Sequence, residues 1–170
     1  MTDKLKKEDI MSFAGAMKNE KDKLELLKLK IAAEREANYG RALKWQDDVL
    51  RYDVIIDFLA GDEKIISLIK EFAEKEEIKT TTITEYELLK HKTEFKRQVA
   101  EKFLSAIIVC PFDRASARKA ALLFEKLSKA GKMINENDLL IAGISLANDD
   151  VLLTRDQKFG NIDDTKIKTV

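Results

Sequence analysis

The sequence predicts a three-layer α/β/α domain on a mostly parallel central sheet, preceded by an N-terminal helical segment. Three observations predict it. With 170 residues, the chain has length for one domain with a real core plus an appendage of a few dozen residues. From about residue 49, short apolar runs alternate with helical periodicities, the pattern of a parallel sheet covered on both faces. Ahead of that alternation lies an amphipathic helix that must pack its stripe on the body or on another chain.

The leader, residues 1–46, reads as a short helix around Glu8 to Ala16, a break near Gly15 to Asn19, and a longer helix from about Glu20 to Ala37. Leu24, Leu27 and Ile31 share one face at helical spacing, widened by Leu26 and Leu29. Asn19 suits an N-cap, and Asn38-Tyr-Gly40 a stop. Core packing is the ordinary role of this stripe and of Met17, and Trp45 is expected to anchor the leader to the body.

In the body, residues 47–170, Val49 to Tyr52 reads as the first strand, and Asp53 to Ala60 as a helix ended by Gly61. Lys64 to Lys75 is an amphipathic helix, Lys79 to Thr84 a β-branched strand, and Glu85 to Lys102 one or two helices. Ile107 to Cys110 is a strand stopped by Pro111, and Ala115 to Lys129 a helix closed by Ala130-Gly131. Asp138 to Ala147 is a helix, Val151 to Thr154 a strand, and Ile167 to Val170 an edge strand.

Charge and cysteine usage bound the function. Lys plus Arg equals Asp plus Glu at 31 each, so nothing global announces a nucleic-acid or membrane partner. Residues 1–46 hold 11 Lys or Arg against 8 Asp or Glu, a net of +3, which leaves −3 on the body and suggests that the two dock. The single Cys110 excludes an internal disulfide, fits a reducing cytoplasm, and reads as a buried structural thiol in Ala106-Ile-Ile-Val-Cys-Pro. No apolar run has membrane length, and the charged start lacks a signal peptide's apolar core, so a cytoplasmic protein is expected. Abundant Lys and Glu with few Gln resembles a thermophile's composition.

Ligands of open parallel sheets sit beyond the carboxyl ends of the strands. Glu87 falls just past the Thr-rich second strand, Asp156 just past Val151 to Thr154, and Asp138 at the mouth of the helix before that strand. Each has an ordinary explanation, as helix cap, turn residue or solvated charge. Together they can face one rim, as a metal-dependent phosphodiesterase site requires. The lone His91 has no His or Cys partner at zinc-ligand spacing. Lys90, His91, Lys92, Lys96 and Arg97 read either as a track for an RNA backbone or as a solvated helix face. No Gly-rich phosphate loop and no Ser/His/Asp order is present.

The stretches Asp53-Val-Ile-Ile-Asp-Phe-Leu-Ala-Gly61, Thr81-Thr-Ile-Thr-Glu-Tyr-Glu-Leu-Leu89, Asn137-Asp-Leu-Leu-Ile-Ala142 and Leu153-Thr-Arg-Asp156 resemble the PIN domain, the nuclease fold of VapC-type toxins. The resemblance covers about residues 48–170. It implies a Mg²⁺- or Mn²⁺-dependent endoribonuclease with four acidic residues at its centre, of which Glu87, Asp138 and Asp156 match three. It also implies an antitoxin partner and a homodimer.

The fourth position departs from the family pattern. There an acidic residue ends the first strand, followed by Thr and a small polar residue; this chain has Arg51, Tyr52 and Asp53. Making Asp48 the ligand would put the following helix out of phase, and Asp53 stands as a candidate fourth ligand in a supporting position. At about 4 Å and an effective dielectric of about 20, each unit-charge interaction is on the order of 4 kcal/mol, so a guanidinium there opposes a metal ion. Two readings of Arg51 stand: an internal counter-ion among Glu87, Asp138 and Asp156, whose carboxylates its planar fork bridges, or an exposed surface residue at the end of the first strand.

The leader carries a second resemblance. Asp9-Ile-Met-Ser-Phe-Ala-Gly-Ala-Met17 with the Lys-rich helix after it looks like the toxin-binding tail of a VapB-type antitoxin, which implies an antitoxin supplied in cis, with Arg35 or Arg41 as the inhibitory basic residue. Two readings stand open: a PIN-domain endoribonuclease, inhibited or decayed through Arg51, and a non-catalytic PIN-fold module binding RNA or protein in a toxin–antitoxin system.

Overall fold

The computed structural model describes residues 10–15, 48–75, 77–90 and 92–170. The expected helix over 20–37, Met17, Asn19, Arg35, Arg41, Trp45 and His91 lie outside them.

The body is a five-stranded sheet, all parallel, in the order β3-β2-β1-β4-β5. Strand β1 is Asp48–Leu50, one residue earlier at its start and two shorter at its end than the sequence suggests. Arg51 ends it by taking the N-cap of α1 (Tyr52–Ala60), with its carbonyl accepting the Ile55 N–H at 3.1 Å. After α2 (Glu63–Lys75) comes β2, Ile78–Thr81, not Lys79 to Thr84. The Thr81 hydroxyl accepts the Thr84 N–H at 3.1 Å, and this cap turns the β-branched run into the first turn of α3 (Thr82–Leu89). The stretch from Glu85 to Lys102 thus belongs to two helices, α3 and α4 (Glu94–Leu104).

Strand β3 is Ile108–Cys110, with Cys110 buried as expected, followed by α5 (Arg114–Lys129). Helix α6 starts at Glu136, earlier than Asp138, because the Asn135 side chain caps it by accepting the Asn137 N–H. Strand β4 (Val151–Thr154), a 3₁₀ turn (Gln157–Asn161) and β5 (Ile167–Thr169) complete the chain.

Strand residues divide by alternation between two apolar layers. Leu50, Val151 and Leu153 face α1 to α4, packing with Phe58, Leu88 and Phe103. Val49 and Leu152 face α5 and α6, packing with Leu123, Ile141 and Phe159. Helices on both faces of a parallel sheet are the three-layer architecture expected.

Residues 10–15 pack on the first layer. Ile10 and Phe13 are buried, the Phe13 ring meets Phe103 edge-on at 5.7 Å, and the Gly15 N–H reaches the Phe58 carbonyl at 2.9 Å. Gly15 has φ +68°, and a Cβ there would sit 3.5 Å from the Gly61 Cα, so left-handed backbone lets the segment lie against the end of α1.

On the other face, Gly143 lets α6 approach α5. A Cβ at Gly143 would lie 2.8 Å from both the Ala120 Cβ and the Ser116 carbonyl. Gly143→Ala is therefore expected to destabilise by about 1–3 kcal/mol through overpacking, despite its better helix propensity. A urea midpoint equal to or above that of the wild type would refute this.

Candidate functional site

Parallel pairing brings the carboxyl ends of β1, β2 and β4 to one rim: Leu50 is paired with Leu153, and β2 ends on Thr81. Arg51 leaves β1 at this rim with its N–H bonded to the Leu153 carbonyl at 3.1 Å, so its backbone is locked across the sheet.

Its guanidinium occupies the centre of the acidic group. Nη1 donates to Asp53 Oδ2 at 2.8 Å, Nη2 donates to Asp138 Oδ1 at 2.7 Å, and Nη2 lies 3.8 Å from Asp156 Oδ2. It also stands over the buried Phe159 ring, 5.1 Å from the centroid, a cation–π contact. Burial pulls the Arg51 pKa down, but the Asp138 hydrogen bond and the charges of Asp53 and Asp138 outweigh it and hold it above the ordinary value. The side chain is a permanent cation ringed by carboxylates.

Each carboxylate is fixed from its own element. Asp138, 3 % exposed, lies in the first turn of α6, where the helix dipole favours a negative charge. Asp156 follows β4 and caps the 3₁₀ turn, its Oδ1 accepting the Lys158 N–H at 2.9 Å. Asp53 is saturated: its Oδ2 accepts from Arg51, from the Thr154 hydroxyl at 3.1 Å and from the Arg155 N–H at 3.0 Å, while its Oδ1 accepts the Val54 N–H at 2.8 Å. That is a supporting role, with little left to offer a metal.

Glu87, on α3, stands beside this group instead of within the arginine bridge. Its Oε1 accepts from the Asn137 side chain at 3.2 Å, and its Oε2 is enclosed with no hydrogen-bond partner among the described residues. Burial first, and the Glu87 charge second, raise the pKa of the nearby Tyr52 hydroxyl. Asp48 is buried at the opposite end of β1, remote from the rim. Of the basic run, Arg97 pairs with Glu94 on its own helix, and Lys90 lies over the Tyr86 ring at 5.1 Å.

The side chains as arranged do not fit a divalent cation. Mg²⁺ needs several oxygen donors at about 2.0–2.1 Å in octahedral order. Here Asp138 Oδ1 and both Asp53 oxygens are taken by N–H and O–H donors, and guanidinium nitrogens donate only. Among the described residues no three His, Cys, Asp or Glu side chains converge as metal ligands.

Thr154, Asn137 and Phe159 join the site without any role predicted for them by the sequence. Thr154 holds Asp53 and accepts the Asp156 N–H at 3.0 Å, linking two carboxylates, and its place at the end of an apolar strand was the available signal. Nothing local marks Phe159 as the ring under Arg51.

A parallel sheet covered on both faces, with an acidic rim at its carboxyl edge, defines an α/β/α fold of the PIN type, and the PIN-domain family profile matches residues 53–165. The chain belongs to the PIN-domain family. That match includes Glu87, Asp138 and Asp156 and begins just after Arg51.

Among solved structures, the chain is similar to VapBC2 from Rickettsia felis bound to a promoter DNA fragment (22% identity, TM-score 0.62, 69% of this chain and 94% of that one). It is similar also to VapBC-1 from nontypeable Haemophilus influenzae (23%, TM-score 0.61, 69% and 92%). VapBC-5 from Mycobacterium tuberculosis, described as a member of a family of toxin–antitoxin systems, shares 25% identity at TM-score 0.55 over 73% and 97%. No curated protein matches the chain. No described helix is long and apolar enough to cross a membrane.

Proposed function

We propose that this chain is a VapC-type PIN protein directed at RNA, whose acidic centre is held closed in cis by Arg51. The supporting observation is the bridge from one guanidinium to Asp53 and Asp138 with Asp156 at 3.8 Å. The parent activity implied by the family is Mg²⁺- or Mn²⁺-dependent hydrolysis of RNA phosphodiesters, with Glu87, Asp138 and Asp156 as the catalytic and metal-binding carboxylates. In this chain the arginine supplies the positive charge that such a carboxylate group requires, so the resting protein leaves RNA uncut.

Toxin–antitoxin membership of the similar structures supports an antitoxin partner, and the packing of Ile10 and Phe13 on the body supports residues 1–46 as its source in cis. Cytoplasmic location and a homodimer complete the reading.

RNA cleavage with and without EDTA tests it. Wild type is expected to leave RNA intact in Mg²⁺ or Mn²⁺, whereas Arg51→Asp with Tyr52→Thr cleaves only with metal and loses that activity on adding Glu87→Gln. Metal-dependent cleavage by the wild type, abolished by Glu87→Gln, would overturn the closed-centre reading.

A further inference from the structure

Two large aromatic side chains lie exposed beside the acidic rim. Tyr86, on α3, is 61% exposed and immediately precedes Glu87, whose carboxylate turns toward Asn137. Phe112, 38% exposed, follows the end of β3, and its N–H donates to the Thr82 hydroxyl at 3.2 Å. Thr82 is one helical turn before Tyr86, on the same face of α3, so this hydrogen bond holds the Phe112 backbone at the first turn of the helix face that carries the tyrosine. The exposed ammonium of Lys90, the next turn along, lies 5.1 Å from the Tyr86 ring centre.

Neither ring belongs to the two apolar clusters that form the core, and no contact already described for the acidic centre uses them. Flat rings in water beside a cation are what an unpaired nucleobase and its phosphate use, because every base has a π-face to stack and a phosphate needs a positive neighbour. The need is acute at this rim. Asp53, Glu87, Asp138 and Asp156 repel a phosphodiester, and the one guanidinium among them is committed to carboxylates. Lys90 stands outside that bridge.

We infer that Tyr86 and Phe112 form a stacking platform for an unpaired base of single-stranded RNA, with Lys90 on the adjoining phosphate. This rests on the RNA-directed reading above and assigns the contacts that hold the strand.

Fluorescence anisotropy in EDTA tests it, using the full chain, a 5′-labelled oligoadenylate and an abasic strand of equal length. Removing the bases is expected to weaken binding about 5- to 150-fold, the range for stacking on an aromatic side chain. Tyr86→Ala and Phe112→Ala each weaken oligoadenylate binding within that range, leave the abasic strand unaffected and keep the wild-type melting temperature. Lys90→Gln weakens both strands alike and reduces the slope of log K against log salt by about 0.7.

Equal wild-type affinity for the two strands, no binding of either, or unchanged affinity in both aromatic variants overturns the platform. Loss of self-association in Tyr86→Ala with RNA binding intact assigns the rings to protein contact and overturns it as well. Because the assay needs neither metal nor cleavage, equal affinity for the two strands or unchanged aromatic variants leave the proposed function standing, no binding of either strand overturns its RNA-directed part as well, and cleavage by wild type would leave the platform standing.

Discussion

Arg51→Ala is expected to lower the unfolding free energy by about 3–5 kcal/mol, the cost of leaving buried carboxylates without their counter-charge. Asp138 is the costliest to strand, since it is 3 % exposed and its Oδ1 takes the 2.7 Å hydrogen bond. Asp53 keeps three other donors and loses less. Chemical denaturation in EDTA measures the loss, and a change below about 1 kcal/mol would mean that the bridge behaves as an exposed surface pair.

The companion result separates charge from structure. In Arg51→Asp the destabilisation is expected to be partly offset by Mn²⁺ or Mg²⁺. Ligation of the native state alone contributes about 2.7 kcal/mol at a hundred times the dissociation constant. The wild-type midpoint should not respond to either metal. A wild type that gains stability from metal as the variant does would show that Arg51 gives way to the ion, and the closed-centre account would fail.

The second large effect lies far from the rim. Phe13→Ala is expected to destabilise the protein by about 3 kcal/mol or more, the usual cost of truncating a buried phenylalanine, here with loss of the edge-on contact to Phe103. Phe103 also packs against Phe58, 5.8 Å away, so the cavity would open into the body's own core. Removal of residues 1–46 should expose the same apolar surface. A truncated protein that melts at the wild-type temperature and stays soluble would show that the leader contributes nothing to the fold.

The layered architecture was legible because burial on both faces leaves its mark in the inner strand β4: Val151 to Leu153 is a continuous apolar run, and all four of its residues are buried. Element ends were less legible where side-chain capping decides them. Thr81 to Thr84 has the β-branched composition of a strand, yet one hydroxyl accepting one N–H makes it a helix start. The acidic positions came from spacing and family pattern, and so did Arg51 as the departure. Hidden from spacing was the company this group keeps: Phe159 under Arg51 and Thr154 on its partner Asp53 lie about a hundred residues later and arrive only through the β1–β4 pairing. Periodicity along one chain carries no information about such a contact.

The meeting of Phe13 with Phe103 also sets an order on synthesis. At about 5–20 residues per second, the chain between them takes roughly 5–18 s to emerge. Through that interval Ile10 and Phe13 have no α4 to bury against, and the leader waits on a surface that does not yet exist. A newborn chain therefore exposes its first apolar anchor early and covers it late, and the growing chain depends meanwhile on its charged residues to stay apart from its neighbours.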